Sequence, residues 1–302
     1  MIVYHYTPID TLEKILAAFD SSEQSHLTLR GTHCVYLNDS TENVLGVVLV
    51  KRYIKQIEDE FDVSDDKRLM HVAQVPESYL AKLLRTYDCH GIGFERFVIS
   101  FSQDQDNLVM WSMYGNKGNG LALGFDTDHL TDQLTFNHYV NIEQGFCTYL
   151  GINQLLEATP ESLPETYKAI KERYQELTRP EVMDSMKKVY QVDEATNGRM
   201  LMQQDLLMNL IQYASIFYKQ DCWNNEREYR LSFETIGGNI QYHKNQTGDY
   251  IPHSDIPVPV AALKNITIGP ATRKNAFGYV RSLLMQHNIQ QCELMESRVP
   301  LM

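Results

Sequence analysis

The sequence predicts an α+β fold, and three observations carry that prediction. Short β-branched and aromatic runs mark strands near both ends of the chain, at 2–6, 97–102 and 120–125 early and at 228–235 and 266–269 late. Between them, from 152 to about 219, apolar residues recur at helical spacing and are punctuated by Pro164 and Pro180. Composition supplies the third: 43% hydrophobic and 22% charged residues over 302 positions leave enough apolar surface to offset the entropy of ordering. Strands from both ends are expected to share one core. The chain therefore reads as a single α+β domain over 1–302, with 152–219 as a helical insertion within it.

Taken in order, residues 2–6 form the first strand, and Thr7-Pro8-Ile9-Asp10 reads as the start of a helix, with Thr7 as cap and Pro8 in the first turn. Ile9, Leu12, Ile15 and Leu16 supply its buried stripe. Residues 26–37 read as a strand pair broken near Gly31. Asn38-Asp39-Ser40 signals a cap for a helix over 42–61, and 62–67 is a polar break. A helical turn over 107–114 and the loop 115–118 separate the strands at 97–102 and 120–125. A strand is expected within 143–150, and Thr159-Pro160-Glu161 marks a further cap. The segment 200–218 is a Met-rich helix whose methionines serve as core filler. Gly237-Gly238 turns the chain into a strand at 240–243, and Thr272 caps a last helix over 275–287.

Charge and cysteine content narrow the function classes. With 27 Lys and Arg against 39 Asp and Glu the formal net charge is −12, which argues against binding nucleic acid or an anionic membrane through the overall field. The five cysteines are scattered and never spaced C-x-x-C, so a reducing cytoplasm is expected. The first residues lack the basic region and cleavage site of a secretion signal. The most apolar stretch, 206–218, is shorter than the roughly 20 residues a bilayer span requires. A cytoplasmic protein without a membrane partner is expected.

The densest chemical phrase is Lys219-x-x-x-Trp223-x-x-Glu226-x-Glu228-Tyr229-Arg230. On a strand, side chains alternate, so Glu226, Glu228 and Arg230 would share one face. Two adjacent carboxylates repel unless something uses them; pairing with Arg230 or Lys219 is the structural alternative. His5 lies on the first strand between two tyrosines, a place that more often holds a hydrogen-bonded core residue than a catalyst. Ser100 and Ser102 share one strand face, with Trp111 and Tyr114 beyond a short loop, and hydroxyls and aromatics around a Gly-rich loop suit a nucleotide or sugar. Thr7 is a further candidate contact. The glycines match neither a dinucleotide fingerprint nor a P-loop. No zinc spacing occurs, and Asp104-x-Asp106 lacks partner carboxylates for Mg²⁺, so no metal is expected.

The phrases YHYT at 4–7, YLNDSTE at 36–42, SFSQDQDNLVMWSMYGNKGNGLALGFD at 100–126, WNNEREYR at 223–230 and ITIGP at 266–270 resemble those of an uncharacterised bacterial family, domain-of-unknown-function family 2971. The helical stretch 152–215 carries none of that resemblance. A more distant likeness is to the His-Tyr-Glu signature of ADP-ribosyltransferases, with His5 as the first member, Tyr36 as the second and Glu228 as the third. In the Arg-Ser-Glu branch of that superfamily the second member would instead be Ser100 or Ser102, and Glu226 would precede Glu228 in a Glu-x-Glu pair.

This likeness implies a split, mixed β-sheet core with helices around it. NAD would be the substrate, its nicotinamide–ribose bond broken and ADP-ribose passed to an unknown protein or nucleic-acid acceptor, in a toxin or anti-phage role. Glu228 would stabilise the oxocarbenium-like state with Glu226 assisting. His5 would hold a ribose hydroxyl, Tyr36 would stack on nicotinamide, and Trp111 and Tyr114 would line the pocket. The competing expectations are a non-catalytic module of the same shape that senses a nucleotide or a partner protein, and a metal-dependent nuclease using Asp104, Asp106 and the Glu pair. Oligomeric state stays open, a homo-oligomer included.

Overall fold

The computed structural model describes residues 1–17, 26–37, 42–74, 76–77, 80, 95–132, 139–190, 196–235, 240–245 and 248–300. The chain divides into two compact units. The first holds Met1–His33, Arg96–Phe146 and Asn224–Met302, and the second holds Cys34–Glu95 and Cys147–Trp223.

The first unit is built on a mixed sheet of ten strands. These are β1 (Ile2–Pro8), β2 (His26–His33), β3 (Glu95–Ser102), β4 (Gly120–Asp126), β5 (Tyr139–Phe146), β8 (Glu228–Thr235), β9 (Gln241–Lys244), β10 (Tyr250–Pro259), β11 (Leu263–Ile268) and β12 (Glu293–Glu296). Their order is β12-β11-β4-β1-β3-β2-β10-β9, with β8 joined to β3 and β5 joined to β8. Strands from both ends of the chain thus meet in one sheet. The β11–β12 pair is parallel, and the registers of β1 with β4 and of β2 with β10 are antiparallel. β1 lies against β4 over its whole length but is in register with β3 where Tyr4 faces Ser102.

Alternation along the strands sorts the core. Val3, Phe97, Ile99, Phe101, Leu121, Leu123, Phe125, Tyr229, Leu231 and Phe233 enter one apolar cluster with the helix Ala276–Gln286. Burying each such side chain contributes about 1.5–3 kcal/mol. A smaller cluster forms where Tyr4, Tyr6, Met110, Trp111 and Ala122 meet.

The second unit is helical. Glu42–Glu60, Pro164–Leu177, Pro180–Val189 and Thr196–Ile216 surround a core containing Tyr53, Ile57, Ile170, Leu207 and Ile211, and the short strands β6 (Thr148–Leu150) and β7 (Tyr218–Gln220) pair in parallel. Its two longest helices approach closely at Gly46. A Cβ there would lie 2.1 Å from Ser215 Oγ and 2.6 Å from the Ile211 carbonyl oxygen. Of the methionines in Thr196–Ile216, Met202 and Met208 are buried and Met200 is exposed.

Several local expectations give way to tertiary pairing. Thr7 and Pro8 do not open a helix. They extend β1, opposite Leu121 and Gly120, and the helix begins at Thr11. Residues 26–33 form one strand that pairs with β10 straight through Gly31, opposite Ser254, and the Phe233 ring fills the space a Cβ there would need. The expected strand at 143–150 is two strands paired in different sheets. No helix starts at Pro160: Thr159 Oγ1 accepts from Ser162 N in a turn, and the helix starts at Pro164. Thr272 does not cap the last helix; its hydroxyl donates to the Gly269 carbonyl, and Asn275 precedes the helix. The expected cap at 38–40 and the turn at Gly237-Gly238 lie outside the described residues. No described helix is long and apolar enough to cross a membrane. None of the four described cysteines forms a disulfide.

Candidate functional site

Every residue of β8 is buried, yet alternate positions are polar. Tyr229, Leu231 and Phe233 face the apolar core, so Glu228, Arg230, Ser232 and Glu234 project to the other side. Buried charge is tolerated where it is paired and hydrogen-bonded, and the sheet arranges this. Arg230 donates to Glu228 through Nε at 2.8 Å and Nη2 at 3.0 Å, a bidentate contact in which the two side chains are 2% and 6% exposed. Further along, Arg96 of β3 donates to Glu234 and, at 2.9 Å, to Glu143 of β5, while Asn141 donates to Glu234 at 2.6 Å. Arg96, Glu143 and Glu234 are not among the residues the sequence singles out. Part of the signal was available: Glu228, Arg230 and Glu234 alternate with apolar residues along β8, whereas Arg96 lies on β3 and Glu143 on β5.

Glu226 departs from the expected geometry. It ends the 3₁₀ segment Asp221–Glu226 rather than sharing the face of Glu228 and Arg230. Arg227 between them has φ +43°, a left-handed conformation that breaks strand alternation. The buried Glu226 carboxylate accepts from Tyr114 Oη at 2.6 Å, and its backbone carbonyl accepts from Ser102 Oγ at 2.8 Å. Gln103 N donates to the Arg227 carbonyl, tying the end of β3 to the start of β8.

His5 stands in register with Leu123, on the side of β1 that carries Val3. Its ring meets Phe101 edge-on with centroids 5.8 Å apart. His5 Nδ1 lies 3.0 Å from the Ser100 carbonyl oxygen, which accepts only, so Nδ1 carries the proton and Nε2 is left as an acceptor. Burial lowers the His5 pKa, and the Ser100 contact partly opposes that shift. Alternation therefore puts His5 on the core side of the sheet and Glu228 on the opposite side.

Tyr6 and Trp111 are committed to packing. Their rings meet at 4.8 Å, Trp111 is 1% exposed, and its Nε1 donates to Asp106 at 2.7 Å. Burial and the neighbouring Asp104 and Asp106 push the Tyr6 hydroxyl above its ordinary range. The Tyr6 hydroxyl donates to the Asp104 carbonyl and accepts from Asn107 N, fixing the loop after β3. Asn107 caps the helix Leu108–Met113 by accepting from Val109 N at 2.8 Å. Thr7 is buried within β1.

The first unit thus gathers Ser102, Tyr114, Glu226 and Glu228 at the junction of β3 and β8, with His5 and Ser100 in contact across β1 and β3. Tyr36 closes the 3₁₀ turn Cys34–Tyr36 of the second unit and is 40% exposed. The carboxylates named for a nuclease are otherwise engaged. Asp104 accepts from Arg227 at 2.7 Å and Asn107 at 3.0 Å, and Asp106 accepts from Trp111, Ser297 and Arg298 N. Among the described residues no group of three or more His, Cys, Asp or Glu side chains is placed to hold a metal.

Residues 110–231 match a family model described as a protein of unknown function, DUF2971. That is the family the phrases resembled. The DUF2971 match contains Trp111, Tyr114, Glu226, Glu228 and Arg230, and it extends across the helical stretch 152–215, which carries none of the resembling phrases. His5, Tyr36, Ser100 and Ser102 lie outside it. No curated protein and no solved structure matches the chain.

Proposed function

We propose that the protein is a non-catalytic module of ADP-ribosyltransferase-like organisation that recognises a nucleotide of the NAD type and leaves it intact. The single observation that carries this reading is the closed Glu228–Arg230 pair. A carboxylate that stabilises a developing oxocarbenium ion must present net negative charge to the sugar. Here a guanidinium neutralises it at 2.8 and 3.0 Å, and little of either side chain meets solvent. His5 on the other side of the sheet offers Nε2 as an acceptor for a ribose hydroxyl, without a carboxylate aimed at the same sugar.

A second reading, transfer of ADP-ribose from NAD, is favoured by one specific feature: Glu228 is the first residue of β8, and β8 and β1 both flank β3. In that reading the nicotinamide–ribose bond breaks, nicotinamide leaves with the bonding pair, and an acceptor nucleophile forms the new bond to the ribose carbon.

Calorimetric titration with NAD and with ADP-ribose, run beside chromatographic detection of nicotinamide, tests both. Saturable binding without nicotinamide release is expected. Release that Glu228→Gln abolishes replaces the first reading with the second, and neither binding nor release overturns both.

A further inference from the structure

The helical unit contains a cavity of about 840 Å³ that no role described above uses. It lies between the end of the helix Glu42–Glu60, the turn joining Pro164–Leu177 to Pro180–Val189, and the first half of Thr196–Ile216. Small-molecule sites of roughly 300–1,000 Å³ are typically apolar with a few convergent polar groups. The floor here is apolar and ordered. Phe61 and Tyr174 stack with ring planes 3° apart, and Leu69, Met202 and Leu206 are buried beside them, with Met183 partly so.

The rim decides the sign of the ligand. Four cations, Lys67, Arg179, Lys187 and Arg199, meet three acids, Asp62, Asp66 and Asp184. Two cation–acid pairs close on each other: Lys187 with Asp184 at 2.8 Å, and Arg199 with Asp66 at 3.3 Å. Lys67 and Arg179 have no ion-pair partner among the described residues, against one remaining acid, Asp62. A net positive rim over an apolar floor is unusual in a chain of net charge −12. Its surface field repels anions in general, so a local cationic rim must be specific to be effective.

We propose that this cavity binds a small amphipathic organic anion. Its planar or acyl body would lie against Phe61, Met183 and Met202, and its acidic head would be held by Arg179 and Lys67. Arg179 suits the head because the guanidinium fork takes two oxygens of one acid group at once. Met183 and Met202 suit the body because unbranched thioether side chains adapt to a flat or flexible apolar surface. The proposal concerns the second unit alone and stands whether or not the first binds a nucleotide.

The test uses the whole chain and 8-anilinonaphthalene-1-sulfonate, a fluorescent planar body with one acidic head, with its uncharged analogue N-phenyl-1-naphthylamine as a control. The expected result is saturable one-to-one binding of the sulfonate, weakened about tenfold or more in Arg179→Gln, as loss of a charge-assisted hydrogen bond implies. Arg281→Gln, at a separate cavity of the first unit, should leave affinity unchanged. Arg179 is exposed, so its variant is expected to fold, and an unchanged circular dichroism melt checks this. Unsaturable binding, equal affinity for the uncharged analogue, or wild-type affinity in a folded Arg179→Gln protein each overturns the proposal.

Discussion

Removing either partner of the Glu228–Arg230 pair should cost more stability than any surface change, and removing both should cost less than the sum. The two side chains are 6% and 2% exposed and joined by bonds of 2.8 and 3.0 Å. Glu228→Gln leaves a buried guanidinium facing an amide, and Arg230→Met leaves a buried carboxylate facing a thioether. Removing one partner of a buried ion pair costs about 3–5 kcal/mol. That is a large share of a folding free energy of roughly 5–15 kcal/mol. In the double variant both charges of the pair are removed together, so the loss should fall short of additivity by about 2–3 kcal/mol. Urea unfolding followed by Trp111 fluorescence in a Trp223→Phe background reports on the first unit, because Trp111 is buried there. Single losses below about 1 kcal/mol together with an additive double variant would refute the structural role of the pair.

Other perturbations follow from the same geometry. Gly46→Ala should destabilise the helical unit by about 1–3 kcal/mol, since the new methyl meets Ser215 Oγ and the Ile211 carbonyl; a double Gly46→Ala, Ser215→Ala variant should recover part of that loss in thermal melts. Burial lowers the His33 pKa to about 4, so the folded state prefers the neutral ring. The stability this contributes is complete above about pH 6.5 and is lost as pH falls toward 4, about 3 kcal/mol in all; His33→Leu should flatten the stability profile over that window. Asn107→Ala should cost about 1 kcal/mol through the lost cap on Leu108–Met113, seen as faster amide exchange at Val109.

The strands richest in β-branched and aromatic residues were legible in the sequence. Residues 228–235 form β8 with the predicted limits, because apolar side chains at every second position have one stable use in a sheet. β10 was not legible. Its Pro252, Pro257 and Pro259 lack the N–H a strand ladder uses, yet they stand opposite Tyr242, Thr28 and His26 inside the sheet. Thr7-Pro8 misled for the reverse reason: a sound local helix start lost to pairing with β4. At the site, the sequence named both Glu228 and Arg230, but whether they pair depends on tertiary burial, which spacing does not encode. The left-handed Arg227 that turns Glu226 away is likewise set by the junction with β3, where Gln103 N holds its carbonyl.

The most direct test of the central claim is the amount of nicotinamide released when wild-type protein is held with saturating NAD for several hours. A binding module with a neutralised Glu228 releases no more than NAD alone in buffer. Release well above that background, removed by Glu228→Gln under conditions where the variant is still folded, would contradict the account and identify Glu228 as a catalytic carboxylate.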